Sequence, residues 1–267
     1  MEDKVKRAGR LMYEEFQNNV PFSMLEENRP EGIDEAYAIQ NEYTCLQVKN
    51  NSDSFSGYKI AFTTDVMQKH FGMDQPAYGR ILTSNVFESP HYFNSADFSR
   101  LGVECEIAIT IGKDISLESD EINKNVVFDS VESIALSFEI IDPRQSQIEN
   151  ISPLDMIAMN VSGAGVLMGN KINNWQNIDL PNSKCQLMID GQTIGTGYGK
   201  DVDGHPILPI IWLAKKLSDQ GNYLKAGDIV VTGSMLPPTF LGNRDATGQS
   251  SAILTMDKLG QVILNFK

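Results

Sequence analysis

Residues 101–112 read LGVECEIAITIG. A short run this rich in β-branched apolar residues is a strand signature. Side chains alternate along a strand, so Val103, Cys105 and Ile107 share one face and Glu104 and Glu106 the other. Residues two apart lie about 6.6 Å from each other along a strand, and two carboxylates at that spacing can converge on one point. Residues 134–142, IALSFEIID, place a third carboxylate, Glu139, inside another apolar run. A buried glutamate without a partner is costly, and three close together raise one another's pKa. A hard divalent cation, Mg2+ or Mn2+, relieves both problems through oxygen ligands. The spacing equally admits a wet edge-strand face for Glu104 and Glu106, with Glu139 paired to a Lys or Arg.

The rest of the chain frames these strands. Residues 1 to about 50 carry helical spacing, with Val5, Ala8, Leu11, Met12 and Phe16 on one stripe and Ala36, Ile39, Gln40 and Tyr43 on another. Asp34 is placed to cap the second helix. The pattern changes at NNSDSFSGY, which divides a mainly helical region, 1–57, from a β-rich region, 58–267. Strands are expected in YKIAFT, ECEIAITIG, SIALSFEII, KCQLMIDG, DIVVTGS, AILTMD and QVILNFK. Helices are expected in SPLDMIAMNVSG, with Ser152 as cap and Pro153 in the first turn, and in ILPIIWLAKKLSDQG, ending near Gly221. Strict βα repetition is absent, which disfavours a TIM barrel or a doubly wound sheet.

Composition excludes several functions. With 267 residues, the chain is long enough to bury a core without staples. A formal net charge of -13 argues against binding nucleic-acid phosphates. Cys45, Cys105 and Cys185 are scattered and odd in number, so neither a disulfide framework nor a CxxC site is indicated. No apolar run reaches the ~20 residues of a membrane span, and a signal peptide is not evident, so a cytoplasmic protein is expected. The GTGYG glycines, Gly195, Gly197 and Gly199, lack the strand–turn–helix context of a dinucleotide site. They read as points of close backbone approach.

Seven segments together resemble one family: AYAIQ (36–40), GYKIAFT (57–63), GVECEIAITIGKDI (102–115), ALSFEIIDPR (135–144), DMIAMNVSGAGVLMGN (155–170), GHPILPIIWLAKKL (204–217) and LKAGDIVVTGS (224–234). Their order and content resemble the 2-oxopent-4-enoate hydratase and 4-oxalocrotonate decarboxylase family, within the fumarylacetoacetate-hydrolase-like group. The resemblance implies an α+β fold, a mixed β-sandwich roll behind a small helical N-terminal region, and a homo-oligomer. It implies Mg2+ or Mn2+ on Glu104, Glu106 and Glu139. It also implies an active-site lysine at Lys59 and an active-site aspartate at Asp155, both candidates for substrate fixation and proton transfer.

Arg144, Ser162, His205, Thr232 and Gly233 are candidates for shaping the pocket or holding the ligands. The implied reaction is hydration of a 2-hydroxy-2,4-dienoate to a 4-hydroxy-2-oxo acid. The alternatives are decarboxylation of an oxalocrotonate-like diacid, hydrolysis of an acylpyruvate, and a catalytically silent metal- or acid-binding protein. The implied partner is thus a small unsaturated 2-oxo or 2-hydroxy acid. The chain departs from the family at Met159, where the pattern has a second aspartate, and in the loop 234–238.

Overall fold

The computed structural model describes residues 2–23, 26–144, 151–242 and 249–267. Helices α1 (Glu2–Gln17) and α2 (Ile33–Asn51) come first. They bury their predicted stripes against each other, with Ala8 and Met12 packed beside Ile39, Tyr43 and Phe22. Asp34 is not the cap. Gly32 occupies that position without a side-chain bond, and Asp34 falls in the first turn, where a carboxylate favours the positive helix end.

The strands are β1 (Phe55–Ala61), β2 (Ala77–Leu82), β3 (Val86–Glu88), β4 (His91–Phe93), β5 (Gly102–Ile111), β6 (Val131–Ile141), β7 (Gly163–Met168), β8 (Lys184–Ile189), β9 (Gln192–Tyr198), β10 (Ile229–Val231), β11 (Thr239–Phe240), β12 (Ser250–Met256) and β13 (Gly260–Phe266). Among the described residues, four further α-helices lie between them: α3 (Asp65–Phe71), α4 (Lys124–Ser130), α5 (Pro153–Ala158) and α6 (Pro209–Asp219). One sheet runs β2-β1-β10-β5-β6-β7-β3, with β11 added to β5; the other runs β4-β13-β12-β8-β9. Both parallel and antiparallel pairs occur in each. None of the described helices is long and apolar enough to cross a membrane.

Alternation along β5 and β6 decides what each face meets. Val103, Cys105, Ile107, Ile109 and Ile111, with Ile134, Leu136, Phe138 and Ile140, enter the main core. There they join Leu187, Leu254, Val262 and Leu264 from the second sheet. The opposite faces carry Glu104, Glu106 and Ala108 on β5, paired with Glu139, Ser137 and Ala135 on β6. Ala108 and Ala135 cluster with Ile81, Val166, Met168, Ile229 and Val231, which come from β2, β7 and β10. Strands β2 and β7 touch although they are not neighbours in the sheet order. The larger sheet therefore rolls around this inner face, an apolar plug fills its middle, and the carboxylates stand toward one end.

Candidate active site

The roll brings together residues far apart in sequence. Glu104 lies directly across the ladder from Glu139, and Glu106 is one step further along the same face. One oxygen from each of the three carboxylates lies within 4.8 Å of the others. Lys59 leaves β1 on the inner face and places Nζ 2.6 Å from Glu139 Oε1. Lys59, Glu106 and Glu139 are almost wholly buried, and Glu104 is partly open to a cavity. The wet-face alternative for Glu106 is excluded by this burial.

Strand β10 ends at Val231, earlier than the predicted strand, and the chain turns through Thr232 and Gly233. Thr232 is buried and its Oγ1 donates to Ile107 O at 3.4 Å. Gly233 has φ +116°, and a Cβ there would collide with the Thr63 side chain. That backbone aims the Gly233 N–H at Glu106 Oε2, 2.8 Å away. Glu139 Oε2 receives no hydrogen bond among the described residues.

Burial raises the pKa of all three carboxyls. Glu104 is pushed up to about 7, first by burial and then by Glu139, against the pull of Lys59. Glu106 is driven well above the usual range by burial and its two neighbours, and the Gly233 N–H opposes this in part. Glu139 is raised by burial, with Lys59 opposing. Burial alone would lower the Lys59 pKa, but Glu139, Glu104 and Glu106 reverse this and keep the ammonium charged. One lysine sets a single positive charge against three carboxylates. The surplus negative charge, the oxygen-only donors and the unpartnered Glu139 oxygen fit a hard divalent cation.

Two cavities meet at this cluster. The larger, about 520 Å3, has Lys59, Glu104, Glu106 and Gly233 on its wall. Its remaining surface is mainly apolar, including Met67, Met156, Met159, Val161, Met235 and Leu236. Away from the cluster, Asp201 is the one charged side chain among its described lining residues. The smaller, about 160 Å3, is reached by Lys59 and Glu139 from the other side and is lined by Arg80, Asp97, Asp142 and Arg144.

The other sequence candidates take distinct places. Ser152 caps α5, and Asp155 completes the reciprocal capping box. The Asp155 carboxylate accepts from Ser152 N at 2.9 Å and from Arg29 Nε at 3.1 Å, and it is ion-paired with Arg29 Nη2. Burial pushes its pKa up, but Arg29 and Ser152 outweigh this and hold it below the usual range. It is not among the described lining residues of either cavity.

After α5 the chain passes through Asn160, Val161 and Ser162 at φ +57°, +50° and +56°. Left-handed backbone is costly for a β-branched residue such as Val161. Asn160 holds the turn by accepting from Arg80 N at 2.6 Å and donating to Arg80 O at 2.9 Å. The turn delivers Met159 and Ser162 to the partition between the cavities, and both line each of them.

Arg144 lies on the smaller cavity, with its guanidinium against Phe16 and Phe22 and 3.9 Å from Asp142. His205 accepts from Ile207 N at 3.2 Å and packs on Phe128, away from both cavities' described linings. Burial, then Lys124, lowers its pKa. Its bond steadies the turn into α6. Thr63 and Arg80 were not singled out from the sequence; Met235 entered only as part of the divergent loop 234–238, and Asn160 only as the neighbour of Met159. Each lies in a segment whose local pattern is explained by an ordinary strand or turn.

No protein-family model matches the chain. It is 30% identical over 229 residues to a 2-keto-4-pentenoate hydratase of Burkholderia vietnamiensis, covering 82% of this chain and 85% of that protein. It is 29% identical over 251 residues to a 2-hydroxyhexa-2,4-dienoate hydratase of Comamonas testosteroni, covering 91% and 94%. The fold matches a 4-oxalocrotonate decarboxylase of Pseudomonas putida G7, solved with magnesium and adipate, at a TM-score of 0.91 over 100% of this chain and 98% of that one, with 19% identity.

Proposed function

The chain belongs to the 2-keto-4-pentenoate hydratase and 4-oxalocrotonate decarboxylase group of the fumarylacetoacetate-hydrolase-like superfamily and is a lyase of that fold; on this premise we propose that it decarboxylates a small 2-oxo-enedioate. The observation that carries the reading is the wall facing the carboxylate cluster. Met159 occupies it where the family pattern has an aspartate, and Met235 adds a second thioether beside it. A thioether neither takes nor gives a proton.

Glu104, Glu106 and Glu139 would hold Mg2+ or Mn2+ as ligands. The ion would polarise the substrate's 2-oxo group and spread the negative charge that develops there. Gly233 fixes the orientation of Glu106, and Lys59 fixes Glu139. Lys59 would also steady the C1 carboxylate and return a proton to the enolate oxygen. Asp155 acts at one remove in this reading, by anchoring the start of α5, the helix whose far end leads to Met159 and Ser162.

The far carboxylate of the diacid would face apolar side chains, which favour its departure as neutral carbon dioxide. The C5–C6 bond breaks and its electrons become the C4–C5 double bond. The C3–C4 π electrons move to C2–C3, and charge settles on the C2 oxygen. One proton then completes the 2-hydroxydienoate.

Hydration of that same dienoate is the second reading, favoured by the names of the sequence relatives. It uses protonation at C5 and water addition at C4. Separate assays with 2-oxohex-3-enedioate and 2-hydroxypenta-2,4-dienoate, each with Mg2+, distinguish the two. Carbon dioxide release from the first without consumption of the second supports decarboxylation. Loss of the dienoate ultraviolet band with formation of a 4-hydroxy-2-oxo acid supports hydration. Turnover of neither overturns the assignment.

A further inference from the structure

The carboxylate cluster is divided between two cavities. Glu104 and Glu106 face the larger, Glu139 faces the smaller, and Lys59, Met159 and Ser162 form the partition. The two chambers differ in character. The larger is mainly apolar, whereas the smaller carries Arg80, Asp97, Asp142 and Arg144. Asp97 is exposed and marks where the smaller chamber reaches the surface.

Apart from the Glu139 oxygen assigned to the cation, one buried polar atom on its lining residues, Arg144 Nε, has no hydrogen-bond partner among the described residues. Buried polar groups are seldom left this way, and water is their usual partner where there is room. About 160 Å3 is enough for several waters.

We propose that the smaller chamber is a water conduit, a second entrance that hydrates the carboxylate cluster from the side opposite the substrate. This rests on the metal reading of Glu104, Glu106 and Glu139, and on substrate filling the larger cavity. Substrate that fills an apolar cavity cuts the cluster off from solvent on that side. Decarboxylation still takes up a proton and hydration still consumes a water, so a separate wet route serves either reaction. The partition keeps bulk water from the apolar face while Glu139 remains in contact with it.

The test uses the full chain loaded with Mn2+ and saturated with 2-oxooctanoate, to occupy the larger cavity. Water-proton relaxation reports access to the ion. Ala164→Leu and Asn85→Leu narrow the smaller chamber at residues that line only that cavity. The unaltered protein is expected to keep at least half its relaxation enhancement when 2-oxooctanoate binds. Both variants are expected to lose it threefold or more while binding Mn2+ and the acid with unchanged affinity. Enhancement that collapses equally in the unaltered protein, or survives in both variants, overturns the conduit.

Failure of Mn2+ to bind at all would overturn the metal reading instead. A high-resolution crystal structure then decides the conduit alone: ordered waters from Asp97 to Glu139 support it, and a dry chamber overturns it.

Discussion

Glu104 and Glu139 are direct cross-strand partners on β5 and β6, facing one another on the inner side of the roll. Like charges in this position destabilise a sheet, and burial adds to the conflict. The pair therefore makes the metal-free protein sensitive to pH.

The sign follows from the raised carboxyl pKa values. Glu104 moves from 4.5 to about 7, and Glu106 and Glu139 also rise. Between the unfolded and folded values, the folded chain binds more protons than the unfolded one. The contribution of these three carboxyls to the stability of the metal-free protein is thus fully present below about pH 4.5 and is lost as pH rises toward 7 and beyond. Mn2+ must displace those protons, so its affinity rises about tenfold per pH unit for each proton released. Melting curves at pH 5 and pH 7.5 check this: the Mn2+-induced rise in Tm is expected to be larger at pH 7.5, and equal rises would contradict the linkage.

Gly233→Ala tests the backbone that serves Glu106. The left-handed φ and the Thr63 side chain leave no place for a Cβ. The N–H should swing away from Glu106, and Mn2+ affinity should fall by about tenfold or more. Calorimetric titration measures it; an unchanged affinity would show that the hydrogen bond does not orient the ligand.

Lys59→Met removes the cation beside Glu139. We expect kcat/KM to fall by about 10²- to 10⁴-fold, the range typical of a lost proton-transfer group. Mn2+ affinity should hold or increase, because a competing positive charge has gone. A variant with undiminished kcat/KM would remove Lys59 from the chemistry.

Met159→Asp introduces a proton-handling group into the partition. Met159 is buried among Ala8, Met12 and Phe22, so an aspartate there should be held neutral and still cost about 1–3 kcal/mol of stability. The product mixture should shift toward the 4-hydroxy-2-oxo acid. Product ratios by NMR decide the matter, and an unaltered ratio at full metal loading argues that Met159 does not select the reaction.

Asp155→Asn keeps a hydrogen-bonding side chain and removes the charge that meets Arg29. Its main effect should be on stability, about 1–3 kcal/mol, below the value for a fully buried pair because the Arg29 side chain is 38% exposed. Denaturant unfolding gives the loss. A fall in kcat/KM far beyond the fall in stability would instead place Asp155 in the chemistry.

Some of this architecture was legible before the structure. Alternation in β5 and β6 announced which side chains share a face, because strand geometry makes that a local property. The α5 start was equally readable, since Ser152 and Pro153 are chemically suited to a helix entrance. Strands β2, β7 and β9 were not anticipated. Their sequences AYGRIL, GAGVLM and QTIGTGY contain glycines, which weaken strand signals. In β9 the Gly197 position has a tertiary cause, because a Cβ there would strike Met235 O; just beyond the strand, one on Gly199 would strike Leu180 O. Such causes are invisible from neighbouring residues. The path of Lys59 to Glu139 was hidden for the same reason, because it depends on the curl of the sheet rather than on strand order.

The alternation of β5 also sets a rule for how this gene can change. Its two faces serve opposite needs, with glutamates inside the roll and Cys105, Ile107 and Ile109 in the main core. Deleting or inserting one codon between Gly102 and Ile107 would exchange those faces beyond the change. Carboxylates would enter the sandwich core while apolar side chains replaced the ligands, and folding and chemistry would be lost together. Insertions should instead be tolerated where the chain leaves the sheets, so length variation among descendants should spare this strand and accumulate in the loops.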